Sequence, residues 1–478
     1  MELIGRKKNV RELDMFMHSG RPEFIALYGR RRVGKTYLVE NYFNHDFAFS
    51  ATGIIGGGKA DELDAFNKAL IRYGYSGEKT TSWNDAFYAL ENLLESRGES
   101  KGRTVVFLDE LPCFETHKSG FVMALDHFWN GWASKRDDIF LVVCGSATSW
   151  IVRNIIDNHG GLHNRITHEI HLYPFTLADT TEYMKAAGCL WDDISIIQTY
   201  MILGGIPYYL SLLWPQDSLS QNIDRLFFSR DAELKKEYKR LYKSLFKSPE
   251  KYIDAVKILS EVRGGLTKNE IAKKLSVSNN GHLSDLLDDL ENCDFIRRYN
   301  VKQKKISAQG SIYQLTDMYT IFYHEFVKTG TTDEQYWSRF IGTQMQSTWW
   351  GLAFERLCQA HIPQILNALG VRAVHTEYYA WRAKADGDNS GCQIDLIIER
   401  ADRMINVCEI KYCGDSLYEL DYDERMKIAE RNAAFRRETD TKYGILPTLI
   451  TTYGLKEGKN ASYFNGVVVT MEDLMKEV

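Results

Sequence analysis

The stretch "FIALYGRRRVGKT", residues 24–36, joins a short apolar run to a glycine-bounded loop and then to a segment of helical character. Gly29-Arg30-Arg31-Arg32-Val33-Gly34-Lys35-Thr36 matches G-x-x-x-x-G-K-[ST], and a place between strand and helix is the context that gives this pattern meaning. The glycines let successive backbone N–H groups turn toward phosphate oxygens, and the helix start adds its dipole. Lys35 would reach the β- and γ-phosphates and Thr36 would ligate a metal, so ATP and Mg2+ are the implied cofactors. A second glycine-rich stretch, "GIIGGGK" at 53–59, lacks the Ser or Thr and the helix start, and reads as a loop.

A phosphate-binding loop needs an acidic strand nearby. "TVVFLDEL" offers Asp109 at the end of an apolar run to hold Mg2+ and Glu110 beside it to polarise the attacking water. A third apolar run, "IFLVVCGS", ends at Ser146, placed to sense the γ-phosphate. Apolar runs of strand length separated by helical stretches such as "WNDAFYALENLL" predict a buried parallel sheet. "HEIHLYPF" (168–175) closes this α/β part.

At 478 residues the chain is too long for one core, and its net charge of −5 excludes a bulk polyanion binder. Its eight cysteines form no C-x-x-C pair, which argues against a zinc site and for a reduced, cytoplasmic setting. No apolar segment approaches a membrane span. The expected organisation is an ATPase core over 1–175, a helical lid over 176–250, a winged helix-turn-helix over 251–320 and an α/β domain over 345–478. Within the third of these, Thr267 reads as an N-cap with Glu270 as its capping-box partner.

The ensemble "LIGR", "GRRRVGKT", "FLDELP", "CGSATSW", "GLHNR" and "GGIP" resembles a family of prokaryotic AAA+-like ATPases of the signal-transducing (STAND-type) branch. Its members also carry a winged helix and a restriction-endonuclease-like C-terminal domain. The resemblance implies that Gly5 and Arg6 lie near the adenine, that Ser146 is the first sensor, and that Arg165 faces the phosphates. It also implies that Gly204, Gly205 and Pro207 start the helical lid. One departure is that His163-Asn164 stands before Arg165 where the family often has Tyr-Gly.

The third helix of the winged unit, "NNGHLSDLLDDLENC", carries a core stripe of Leu283, Leu286, Leu287 and Leu290. Asp285, Asp288, Asp289 and Glu291 are expected on its solvent side, where they would repel phosphates. The wing offers Arg297, Arg298, Lys302, Lys304 and Lys305 for contact with a DNA backbone. The alternative is a unit packed between its neighbours. A lysine-rich helix around Lys235–Lys247, interleaved with Asp231, Glu233 and Glu237, is expected to be a solvated charged face.

Near the C-terminus, "INVCEIKY" (405–412) sets Glu409 and Lys411 on one face of an otherwise apolar strand. "QIDLIIE" precedes it across a short polar connection at 401–403, so a hairpin with a three-residue loop would set Asp395 opposite Glu409. Glu355 is an isolated acid on the upstream amphipathic helix. Asp, Glu-x-Lys and a helical Glu are the signature of the PD-(D/E)XK nuclease fold. There Asp395 and Glu409 would hold Mg2+ against a phosphodiester and Lys411 would steady developing charge. The resulting expectation is an ATP-hydrolysing switch with a nuclease-like effector that acts on DNA. The alternative is a signalling or scaffold ATPase whose C-terminal half binds protein partners, or further copies of itself, without cutting.

Overall fold

The computed structural model describes residues 3–98, 102–157, 164–299, 311–383 and 391–478. The first sheet holds β1 (Glu23–Tyr28), β2 (Phe49–Thr52), β3 (Thr104–Asp109), β4 (Ile139–Gly145) and β5 (His168–His171), in the order β2-β3-β4-β1-β5 and all parallel. β1, β3 and β4 read as near-continuous apolar runs because both faces are covered. Ile25 and Leu27 pack toward one core, and Phe24 and Ala26 toward the other. β4 separates the phosphate-loop strand β1 from the acidic strand β3, which brings Cys144 and Ser146 between the two motifs.

Helices begin again at Leu177–Ala186, where Thr176 caps the first turn in a reciprocal capping box with Asp179. The "GGIP" turn does not start this helical region, as the resemblance implies, but lies within it. Two helices precede it, and Pro207 opens the short helix Pro207–Ser211. Gly205 has φ +67°, and a Cβ there would lie 2.3 Å from the Phe175 carbonyl oxygen, so glycine is required.

Next come the helices Pro249–Ser260, Lys268–Leu275 and Gly281–Asn292 with a small sheet of β6 (Leu266–Thr267), β7 (Ile296–Tyr299) and β8 (Ile312–Leu315), ordered β6-β8-β7. The Thr267–Glu270 capping box is present, and the four leucines of the third helix are buried. Asp289 departs from the expectation. It is 8% exposed, accepts a hydrogen bond from Arg153 at 2.6 Å, and takes another from the Tyr252 hydroxyl at 2.6 Å. The third helix therefore docks on the first domain through one of its acids, and periodicity alone could not reveal the partner.

Both wing cations among the described residues are committed. Arg297 donates to Gln314 at 2.6 Å and Gln359 at 2.5 Å, while Arg298 pairs with Glu291 at 3.3 Å and Asp288 at 3.7 Å. Lys302, Lys304 and Lys305, like His163, lie outside the described residues. The lysine-rich helix, Glu233–Leu245, is likewise not wholly solvated. Glu237 is 3% exposed and pairs with Arg32 of the phosphate loop at 3.1 Å.

The last sheet contains β9 (Thr376–Ala383), β10 (Cys392–Arg400), β11 (Met404–Lys411), β12 (Gly444–Thr451) and β13 (Val468–Thr470), in the order β13-β12-β11-β10-β9. β10 pairs antiparallel with both β9 and β11, whereas β12 pairs parallel with both β11 and β13. The helix Gln344–Ala360 packs on one face, and its Trp349, Phe354 and Leu357 join a core continuous with the first sheet. Among the described residues no helix is long and apolar enough to cross a membrane.

His361, 1% exposed, fastens this helix to the helical region. Its Nε2 accepts the Leu177 N–H at 3.0 Å, and its Nδ1 donates to the Leu357 carbonyl at 2.8 Å. Burial depresses its pKa from 6.5 to about 4. The folded form thus binds a proton less readily than the unfolded chain, so stability is complete above pH 6.5 and falls as the pH drops toward 4. The full loss amounts to about 3 kcal/mol. Urea unfolding at pH 7 and pH 4.5 is expected to show this acid-sensitive component in the wild type and to lose it in His361→Gln.

Candidate active site

The phosphate loop runs from Gly29 (φ +142°) to Gly34 (φ +88°), and the helix Lys35–Tyr42 starts directly after it. Lys35 is buried, and its ammonium donates to the Gly29 and Arg30 carbonyls at 2.9 and 3.0 Å. Burial pushes its pKa below the usual lysine range despite the nearby Cys144, Glu110 and Asp109. An anionic phosphate in the loop would restore the charge partner that water no longer provides. Thr36 donates its hydroxyl to Asp109 Oδ2 at 2.9 Å.

Sequence reasoning missed Cys144. Its thiol donates to Asp109 Oδ1 at 2.7 Å, and burial holds its pKa well above the usual thiol value. It stays a neutral donor that fixes the carboxylate. The only hint in the sequence is its place two residues before Ser146 in "CGS".

Glu110 has φ +48° and ψ +48°, a left-handed conformation that turns its side chain out of strand alternation. Its carboxylate accepts from the Ser146 hydroxyl at 3.0 Å and from the Ser146 N–H at 3.3 Å. The expected water-polarising group and the expected sensor are therefore in direct contact. A cavity of about 590 Å³ opens beside them. Its lining combines the polar Lys35, Thr36, Glu110 and Ser146 with the apolar and aromatic Ile4, Phe175, Tyr183 and Tyr208, a mixture suited to phosphates and a purine.

Arg6 lines the same cavity. Its guanidinium donates to the Val33 and Tyr173 carbonyls at 2.8 and 2.9 Å and lies 4.6 Å over the Phe175 ring. Burial lowers its pKa to about 10, which leaves it charged at neutral pH. Gly5, at φ +67°, packs so closely on Phe175 that a Cβ would lie 2.8 Å from the ring. Arg165 is exposed on the turn before β5 and does not line the cavity.

The three loop arginines differ in role. Arg31 lines the cavity. Arg32, at φ +77°, pairs with Glu237 and lies 3.9 Å over the Tyr208 ring. Arg30 turns away and is 1% exposed, bound to Asp317 at 2.5 Å and stacked 4.8 Å from the Phe295 ring. Burial disfavours its charge, but the Asp317 carboxylate outweighs that and holds the guanidinium above its usual range. Asp317 caps the helix Met318–Phe322 that follows β8. The phosphate loop is thus bolted to the three-stranded unit.

In the C-terminal sheet the connection between β10 and β11 spans residues 401–403, the expected length. Leu396 pairs with Cys408, so the next step along the ladder sets Asp395 opposite Glu409. The pairing of β10 with β9 shifts between Ile394 and Ile397, a bulge that encloses Asp395. Its carboxylate accepts from Gln393 at 2.5 Å. Glu355 stands near enough that burial, reinforced by the Asp395 charge, raises its carboxyl to about 8.

Glu409 and Lys411 share a face as expected, 3.2 Å apart. Two partners were not foreseen. Arg431 reaches the second Glu409 oxygen at 2.6 Å, and Glu424 takes Lys411 at 2.6 Å, both from the helix Tyr422–Thr439. Among the described residues no group of three or more His, Cys, Asp or Glu is arranged to hold a metal ion. Each Glu409 oxygen faces a cation, Lys411 on one and Arg431 on the other.

Residues 3–213 match a family described as an ATPase domain predominantly from Archaea. An uncharacterized protein of Methanocaldococcus jannaschii is 25% identical over 334 residues, 68% of each chain. Among solved structures, the Walker-type ATPase of Pyrococcus abyssi is similar at 17% identity and a TM-score of 0.45, over 68% of this chain and 96% of that one. The Aeropyrum pernix ORC2 protein, solved as ADPNP–ADP complexes, is similar at 12% identity and a TM-score of 0.41, over 69% and 96% of the respective chains. Residues 3–213 thus carry an archaeal-type ATPase domain, and the protein is an ATP-binding ATPase.

Proposed function

We propose that the protein is an ATP-driven switch whose C-terminal half hydrolyses phosphodiester bonds in nucleic acid. In the first half, the hydroxyl of Thr36 and the carboxylate of Asp109, 2.9 Å apart, are hard oxygen donors of the kind Mg2+ takes, which makes the pair a fitting holder. Mg2+ bound there would neutralise charge on the β- and γ-phosphates. Lys35 binds the same phosphates, Arg6 and Phe175 orient the base, and Glu110 accepts a proton from the attacking water once Ser146 releases it. The Arg30–Asp317 pair supports coupling, since a movement of the phosphate loop is felt directly at the start of the helix after β8.

The observation that carries the second half is the convergence of Glu355, Asp395 and Glu409. They come from one helix and two adjacent strands, close enough for Asp395 and Glu409 both to disfavour ionisation of Glu355. Like charges gathered at a half-buried site cost stability, and a catalytic role for them is the reading that accounts for the cost. Release of Glu409 from Arg431 would let it join Asp395 as a metal holder, while Lys411 steadies charge on the phosphate. In this reading the unit at 251–320 is a winged helix serving as a lever, and DNA is the nucleic acid tested first.

Supercoiled plasmid incubated with Mg2+ or Mn2+, with and without ATP, is the direct test. The wild type is expected to nick or linearise it, and Lys411→Ala to be slower by at least about 100-fold. Intact plasmid under every condition with both proteins would rule the reading out for DNA. A second reading, a scaffold ATPase that cuts nothing, is favoured by the closed pairing of Glu409 with Lys411 and Arg431.

A further inference from the structure

A second cavity, of about 290 Å³, lies on the seam between the three-stranded unit and the C-terminal sheet. Its charged walls come from both sides. Arg263 belongs to the turn before β6, Glu355 and Arg356 to the helix Gln344–Ala360, Arg382 to β9 and Asp395 to β10. Arg382 reaches across the seam. Its guanidinium lies so close over Gly264 that a Cβ there would fall 1.1 Å from Nη2, so the glycine permits the crossing.

The charge balance favours an anion. Three guanidinium groups, of Arg263, Arg356 and Arg382, face the two carboxyls of Glu355 and Asp395, which leaves the walls net positive. Arg356, lowered by burial to about 10, keeps its charge at neutral pH. Among the described residues none of the three arginines is hydrogen-bonded or ion-paired to a carboxylate, unlike Arg30, Arg32, Arg153 and Arg431 elsewhere in the chain. Arginines left this way at a half-buried seam are suited to phosphate, which their planar forks recognise.

Size and lining narrow the anion. The cavity is of single-nucleotide scale, and a duplex whose major groove alone is about 12 Å wide cannot enter it. Tyr299 supplies an aromatic wall, its hydroxyl anchored on the Gly264 carbonyl at 2.8 Å, and Gln314, Gln359 and Gln393 bring amides to the same space. Aromatic faces with amides around them bind unstacked bases.

We propose that this cavity binds one unpaired nucleotide of a nucleic-acid strand, with its phosphate on Arg263, Arg356 and Arg382, so that the preferred substrate is a strand end or flap and not an intact duplex. This rests on the hydrolytic reading of Glu355 and Asp395 and names the substrate of that site. Binding is measured by fluorescence anisotropy on the full chain carrying Lys35→Ala, in EDTA, with a labelled single-stranded deoxyoligonucleotide, its ribo counterpart and the blunt duplex.

A single strand of at least one sugar type is expected to bind at least about 10-fold tighter than the duplex, and Arg263→Gln and Arg382→Gln each to weaken it by about 10-fold. Equal binding of strand and duplex, or unchanged strand binding in both variants, overturns the proposal. Arg263 is exposed, so its variant decides the matter if Arg382→Gln fails to fold, and the same substitutions with Lys35 restored should hydrolyse ATP normally. Cleavage is scored separately. A wild type that binds the strand but cuts nothing with any metal defeats the hydrolytic reading and leaves the binding inference standing.

Discussion

Replacing Glu110 with Gln is expected to cut steady-state ATP turnover by at least about 100-fold while leaving nucleotide affinity within a few-fold. The substitution keeps shape and hydrogen bonding to Ser146 but removes the proton acceptor. Lys35, Thr36 and Asp109, which hold the phosphates, are untouched. Turnover measured by phosphate release and affinity measured by a fluorescent ATP analogue separate the two effects. A proportional loss of both would show Glu110 to be a binding group. Unchanged turnover would leave the water to be polarised by another residue.

The second large effect concerns stability. Asp317→Ala is expected to destabilise the fold by about 3–5 kcal/mol, because it leaves the Arg30 guanidinium buried without a counter-charge. Nε and Nη2 of Arg30 have no hydrogen-bond partner among the described residues, so the lost Nη1 contact has no substitute close by. The same carboxylate caps the helix Met318–Phe322 through the Thr320 N–H at 3.1 Å, which adds roughly 1 kcal/mol to the loss. The double variant Arg30→Met with Asp317→Ala should be less destabilised than Asp317→Ala alone, since the buried charge goes with its partner. Urea unfolding of the three proteins reads this directly, and additive losses would mean that the pair is not coupled.

Much of the ATPase half was legible in the chain because its chemistry is local. A phosphate cradle is made by consecutive backbone N–H groups, so eight adjacent residues, 29–36, carry nearly the whole device. Asp109 and Ser146 follow from the same logic, since strand ends in a parallel sheet collect at one edge. Glu110 was placed correctly in sequence, but its left-handed backbone and its contact with Ser146 belong to the turn after β3. Arg165 shows the limit of analogy. The residues before it differ from the family's pattern, and its side chain sits on an exposed turn away from the cavity.

In the C-terminal half, alternation and loop length set Asp395 opposite Glu409, because register in a hairpin is fixed by the turn. The bulge at Asp395 was beyond reach, as were Arg431 and Glu424, which sit about one helix further along the chain. Charge patterning misled in three places for one reason. Asp289, Glu237 and Arg297 look like solvent-facing residues until partners distant in sequence are brought against them.

The sequence by itself determined the phosphate-binding loop, its acidic strand, the helices and hairpin after residue 250 and the spacing of the C-terminal acids. Each depends on contacts within a few residues or on strand and helix periods. Only the tertiary structure decided which charges are paired. A salt bridge forms between groups that the fold brings within 4 Å, and residues 30 and 317, or 32 and 237, carry no mark of one another in the chain.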